Sequence, residues 1–225
     1  MLVALAAALA VVGLVVGLVL TLGGNGTPPL PAASAPTTTA GEPSPSAPVP
    51  SPTTSAPAKA PEFAFRVLKF GPVRGSRRTG AKAVREGTRR AVHSIREDLD
   101  RMYRLAFLDP ADWQHGRYGP AFRFFTGDAR DSARRHTSLL TLGPDAGKRF
   151  SGVASAHGTL KIQVLLSRGG HPFTAVATAD FRARAIRVSG GETVVHSLGS
   201  YFLRPSKHGW LIFGFQVRRK DHPAG

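Results

Sequence analysis

The sequence predicts an α+β domain, with helices packed on one face of a curved, four-stranded antiparallel meander. Three observations carry this. Between Ala81 and Phe107 apolar residues recur every three or four positions, the spacing of one helix face. From Ser151 onward the period changes to two, the spacing of half-buried strands. The connections between those strands are short and carry glycine, which suits hairpins. Helices first and strands afterward is the α+β order.

Ahead of that domain the chain opens on residues 1–22, MLVALAAALAVVGLVVGLVLTL. Roughly twenty apolar residues cross a bilayer core, so a transmembrane anchor is expected here. Gly13 and Gly17 are spaced so that two such helices could approach closely. A cleaved signal peptide is the alternative. Its apolar region is usually shorter and follows a basic one, and no basic residue stands before this stretch. Either the start lies upstream or orientation is set some other way.

Residues 23–61 are rich in Pro, Ser, Thr and Ala. They lack the apolar content to bury a core and are expected to be a disordered stalk. No Lys or Arg occurs between Thr21 and Ala58, so the positive-inside rule is nearly silent. A Pro/Ser/Thr spacer of this kind suits the outside of a cell. The expected location is a cell membrane, single-pass, with the domain on the extracytoplasmic side.

Residues 62–80 form a basic lead-in. Phe63, Phe65, Val67, Leu68 and Phe70 alternate in part, which reads as a short strand or as an apolar strap laid on the domain. GPVRGSRRTG follows, a loop that clusters Arg74, Arg77 and Arg78. The predicted domain is 81–220, with 221–225 a tail. Its long helix turns Val84, Thr88, Val92, Ile95, Leu99 and Met102 inward. Arg85, Arg89, Arg96, Asp100 and Arg104 face out, and Asp109-Pro110 ends it. Trp113 and His115 sit in a loop, and Phe122, Phe124 and Phe125 make a short apolar run. Asp128 is the expected N-cap of a second helix reaching about Leu140. Strands are expected at 153–166, 174–188, 193–204 and 210–219.

The only charges below residue 62 are Glu42 and Lys59, which cancel, so residues 62–225 carry the whole surplus of +16. Such a charge concentrates anionic partners near the surface. It also fits a generally basic, solvated surface. The chain has no cysteine, which excludes a disulfide framework, a thiolate metal site and a Cys nucleophile. The eight histidines show no HxxxH or HExxH spacing, so no metal is expected. No glycine-rich loop precedes a helix with Lys-Ser/Thr, so no phosphate loop and no cofactor are expected.

A long helix, a loop, a short helix and four long strands, closing on Gly209-Trp210-Leu211-Ile212-Phe213-Gly214-Phe215-Gln216-Val217, resemble the NTF2-like superfamily. The full layout resembles actinobacterial single-pass membrane proteins with an extracytoplasmic NTF2-like domain, of the Mce-associated and VirB8/TcpC-like types, from which the chain departs in its long stalk. The resemblance implies a conical interior between sheet and helices. It also implies that the interior hosts isomerase- or cyclase-type enzymes in some members and that others are protein-binding scaffolds. The resemblance implies that an enzyme of this fold needs an acid or base inside the cone. The interior candidates are Tyr103, His157, Asp180, His196 and Tyr201, with Asp180, His157 and Tyr103 the catalytic candidates. Asp180 shares a strand face with Val176, Thr178 and Arg182, so it either pairs with His157 as an acid–base couple or pairs with Arg182, Arg184 or Lys161 on a solvated face.

The function expected from all this is a non-catalytic interaction or scaffold module for an envelope complex or anionic surface. Arg74, Arg77, Arg78, Arg89 and Arg90 are the candidate contacts. The alternative is a cone-pocket binder of a small molecule or lipid, or an isomerase/cyclase-type enzyme. Partners expected are the bilayer, an envelope protein or anionic envelope component, and a second copy in a homodimer. Nucleic acid is not expected, because the aromatics near arginine, such as Phe122, Phe124 and Phe125, lie at core spacing.

Overall fold

The structure is a computed structural model, and it describes residues 59–73, 81–167 and 169–224. The expected anchor (1–22), nearly all of the stalk, and Arg74, Arg77 and Arg78 lie outside the described residues. Among the described residues no helix is long and apolar enough to cross a membrane.

In chain order the elements are β1 (Arg66–Val73), α1 (Ala81–Tyr103), a π-helical turn (Arg104–Leu108), α2 (Pro110–Trp113), α3 (Gly119–Phe122), α4 (Gly127–Arg135), α5 (Thr137–Leu140), α6 (Ala146–Arg149), and strands β2 (Phe150–Leu166), β3 (Pro172–Arg187), β4 (Glu192–Ser206) and β5 (Gly209–Pro223). Helices and sheet form the α+β arrangement expected, consistent with an NTF2-like cone. Two details differ. Thr126, not Asp128, stands at the N-terminal end of α4, and Asp128 falls in its first turn, where a negative charge suits the helix dipole. The sheet has five strands, not four, in the order β1-β2-β3-β4-β5.

The extra strand comes from the segment that read as strand or strap, and it is both. Residues 66–73 pair with β2 in parallel, Arg66 opposite Thr159 and Val73 opposite Leu165. A parallel pair needs a crossover, and the whole helical half of the domain supplies it. Just before β1, Phe63 and Phe65 turn into the core at 4% and 2% exposure. Two polar contacts, one from α1 and one from the π-helical turn after it, hold them there. The Phe65 N–H donates to Asp100 Oδ1 at 2.7 Å, and the Arg104 guanidinium donates to the Phe63 carbonyl at 3.0 Å. Asp100 is therefore not on the outer helix face. It is buried, and burial pushes its carboxyl above the usual range.

The remaining pairs are antiparallel hairpins, as the glycine-bearing connections imply. Between β3 and β4 Gly190 and Gly191 take φ of 88° and 76°, a region that favours glycine. Burial alternates cleanly along β3. Ala175, Ala177, Ala179, Phe181, Ala183 and Ala185 face the helices and Val176, Thr178, Asp180, Arg182 and Arg184 face away. Small side chains in the central strand let α1 and the turn after it approach closely. Register shifts in β2–β3 and β4–β5 mark bulges that bend the sheet around this filling.

Two further contacts lock helices to sheet. Asp98 Oδ2 accepts from the Trp210 N–H at 2.8 Å, tying α1 to the β4–β5 turn. Arg219 turns inward and donates to the Ser138 carbonyl at 2.9 Å and to Asp221. The buried core is drawn from residues 63–212, all within the compact unit Pro52–Gly225. That unit holds everything a hydrophobic core needs to fold by itself.

Candidate functional site

The interior of the sheet–helix sandwich is where the cone expectation can be tested. Tyr103 closes α1 and Tyr201 projects inward from β4, both at 1% exposure or less. Their hydroxyls lie 2.8 Å apart. Around them stand Phe63, Phe65, Phe107 and Phe181. Phe65 meets Tyr103 edge-on with centroids 4.9 Å apart, and Phe107 lies 4.9 Å from Phe181. Tyr103 and Phe181 are 5.0 Å apart. These spacings are those of packed aromatic pairs, so the rings fill the space that a cone-fold enzyme keeps open for substrate.

Burial raises the Tyr103 hydroxyl from the ordinary 10.0 to about 12. Burial also raises Tyr201 well above 10.0, reinforced by Tyr103. Each phenol stays protonated near neutrality, and each satisfies the other. The pair is a structural hydrogen bond across the core rather than an acid and a base poised over a substrate.

Asp180 and His157 lie elsewhere. Both project from the face of the sheet that points away from the helices. The carboxylate is 44% exposed and takes a hydrogen bond from, or shares a proton with, His196 Nε2 at 2.9 Å. Arg182 Nε stands 3.9 Å away. His157 is opposite Arg182 in the register, while Thr159 is opposite Asp180. The expected Asp180–His157 couple is therefore not formed, and neither residue reaches the interior. The alternation along β3 was legible in the sequence. Which face would be covered was not, because that depends on the helices 70 or more residues earlier in the chain.

Among the arginine candidates, Arg89 and Arg90 are exposed on α1. They share its first turns with Lys82 and Arg85, and no acidic residue stands in the first turn. Glu86 stands among these cations, and their excess of positive charge contributes to an outward positive field.

The surface carries depressions open to solvent, and one of about 730 Å³ runs between Arg117, Tyr118, Phe122, Arg134 and Pro144. A second, about 560 Å³, is lined by Lys148, Arg149, Arg187, Val188 and His222. Among the described residues no three His, Asp or Glu side chains converge as a metal site would require. Sequence reasoning missed the buried roles of Asp98 and Asp100, which flank Leu99. Their signal was weak, since two acids on a basic helix read as ordinary solvated charge.

No family model and no curated protein matches the chain. Among solved structures the chain is similar to a hexachlorocyclohexane dehydrochlorinase, LinA type 2. The identity is 11%, the match covers 64% of this chain and 94% of that one, and the TM-score is 0.41. A likeness that slight carries no argument about activity.

Proposed function

We propose that this chain is a membrane-tethered interaction module. On this reading residues 1–22 anchor it, residues 23–61 hold the domain away from the bilayer outside the cytoplasm, and the basic domain docks an anionic or envelope partner. The observation that supports it most is the filled interior. The rings of Phe63, Phe65, Tyr103, Phe107, Phe181 and Tyr201 occupy the volume where the alternative, a cone-pocket binder or an isomerase/cyclase-type enzyme, would need room. The catalytic candidates either bond each other there or lie on the solvated face. The +16 charge, with Arg89 and Arg90 exposed on α1, supplies a surface for anions.

The test is capture from an envelope extract by immobilised Pro52–Gly225, followed by mass spectrometry. Reversing Arg77, Arg78, Arg89 and Arg90 to Glu is expected to abolish capture while thermal unfolding stays unchanged. Undiminished capture by the reversed protein would sink the arginine assignment. A small molecule retained through native mass spectrometry would favour the alternative instead.

A further inference from the structure

The face of the sheet turned away from the helices carries an unusual arrangement. The register sets His157 opposite Arg182, Arg182 opposite His196, and His196 opposite Lys220. Four basic or imidazole side chains thus form one continuous row across β2, β3, β4 and β5. The rows on either side add Arg218 across from Leu198 and, on the other, Arg184, Val194 and His222. Against them stand Asp180, held by His196 and Arg182, and Glu192, 3.5 Å from Arg184. No ion-pair partner lies near Arg218 or Lys220 among the described residues. At about 4.8 Å between strands and about 3.3 Å per residue, the three rows cover a patch of roughly 14 by 13 Å.

Arg182, Arg218 and Lys220 are exposed cations on this one face, with His157 and His196 lying beside them in the row. Such an arrangement calls for a use, and its surroundings say which. No Phe, Tyr or Trp lies within the three rows, so bases have no platform on which to stack. The next row brings Ile186 at 37% exposure, and the β3–β4 turn beyond it presents Val188 at 61%. Lys148, Arg149 and Arg187 surround that turn. An exposed apolar tip with basic rows behind it matches a bilayer edge, where the tip meets acyl chains and the cations meet phosphates.

We infer that this sheet face binds the headgroups of an anionic phospholipid bilayer, with the β3–β4 turn inserted. The inference rests on the reading of the chain as an interaction module, and adds to the α1 arginines a second face, for the bilayer. Binding through the sheet lays the domain flat on a bilayer and leaves α1, on the opposite side of the sheet, free for a protein partner.

Flotation of Pro52–Gly225 with vesicles tests it. Expected is binding to phosphatidylcholine vesicles containing about a third phosphatidylglycerol, lost at high salt, and little binding to phosphatidylcholine alone. Arg182→Gln with Arg218→Gln and Lys220→Gln should lower partitioning on the order of a hundredfold, at about fivefold per cation. Val188→Asp, in an exposed turn, should lower it further. The charge-matched control Lys82→Gln, Arg89→Gln, Arg90→Gln should cost tenfold or less.

Equal losses from the two triple variants would overturn the inference, since net charge alone would then account for binding. So would tighter binding to a short oligonucleotide than to vesicles. A dimer in sedimentation that the sheet variant dissolves would also overturn it, because a second copy would then cover the face. If vesicle binding is absent while extract capture succeeds, this inference falls and the interaction-module reading stands. If both fail, both fall.

Discussion

Phe65 and Gly158 are the sharpest test of how this domain is held together. Phe65 stands before β1, Gly158 lies in β2, and the ring fills the space that a side chain at 158 would take. A Cβ built on Gly158 falls 2.5 Å from Phe65 Cε1 and 2.7 Å from Cδ1. The ring itself is wedged against Phe63 and Tyr103, each 4.9 Å away, and cannot swing aside freely. Phe65→Ala should cost about 3–5 kcal/mol, the usual range for a buried phenylalanine. Gly158→Ala should cost about 1–3 kcal/mol by overpacking. In the double variant the new methyl enters space the ring has left, so its cost largely vanishes. The coupling is then about 1–3 kcal/mol and favourable in sign.

Urea unfolding of Pro52–Gly225 reads all four proteins, with Trp113 and Trp210, at 0% and 6% exposure, as buried fluorescent reporters. The Phe65→Ala melting temperature should drop by roughly 6–20 °C, at about 2–4 °C per kcal/mol for a domain of this size. If the two costs add to within about 0.5 kcal/mol, the strap does not pack on β2 as described and the reasoning fails.

Other expectations follow from the same contacts. The chain has three tyrosines; Tyr103 and Tyr118 are raised to about 12 and Tyr201 is raised well above 10.0, each chiefly by burial. Because the folded values lie above the unfolded one, the stability they carry is complete below pH 10 and is lost as pH rises through about 12. Phenolate absorbance should therefore appear only in a cooperative alkaline unfolding; a graded titration centred near 10 would contradict this burial. Asp98→Ala leaves the buried Trp210 N–H without its acceptor and should cost about 1–3 kcal/mol in chemical denaturation, whereas Asp98→Asn keeps an acceptor oxygen and should cost less. Lys220→Glu replaces an exposed cation opposite His196 with an acid, and should weaken vesicle binding while changing stability by no more than about 0.5 kcal/mol. A larger stability loss would show that Lys220 holds the fold together as well as charging its surface. A chain begun at Ala81 lacks β1, Phe63 and Phe65 and should fail to give a cooperative melt.

Much of the fold was legible in the chain. The switch from a period of three or four to a period of two is written in residues that touch along one helix or one strand, so it survives without any knowledge of partners. The alternation along β3 announced a two-faced strand, and glycines between strands announced hairpins. The strap was harder to read, because Phe63 to Phe70 alternates only in part. Asp100 was misplaced for a related reason. A helical wheel puts it among arginines, and only the Phe65 N–H arriving from 35 residues away draws it inside.

By itself, then, the sequence determined the elements, their order, the two-faced character of each strand and the sign of the surface. Those depend on interactions between near neighbours in the chain. Tertiary structure alone decided that β1 joins the sheet in parallel, that Tyr103 and Tyr201 meet across the core, and that Asp180 pairs with His196 outside it. Each of these joins segments whose distance apart is settled by how helices and sheet pack. A period of two says that a strand has two faces; only the helices lying on one of them say which face is the interior.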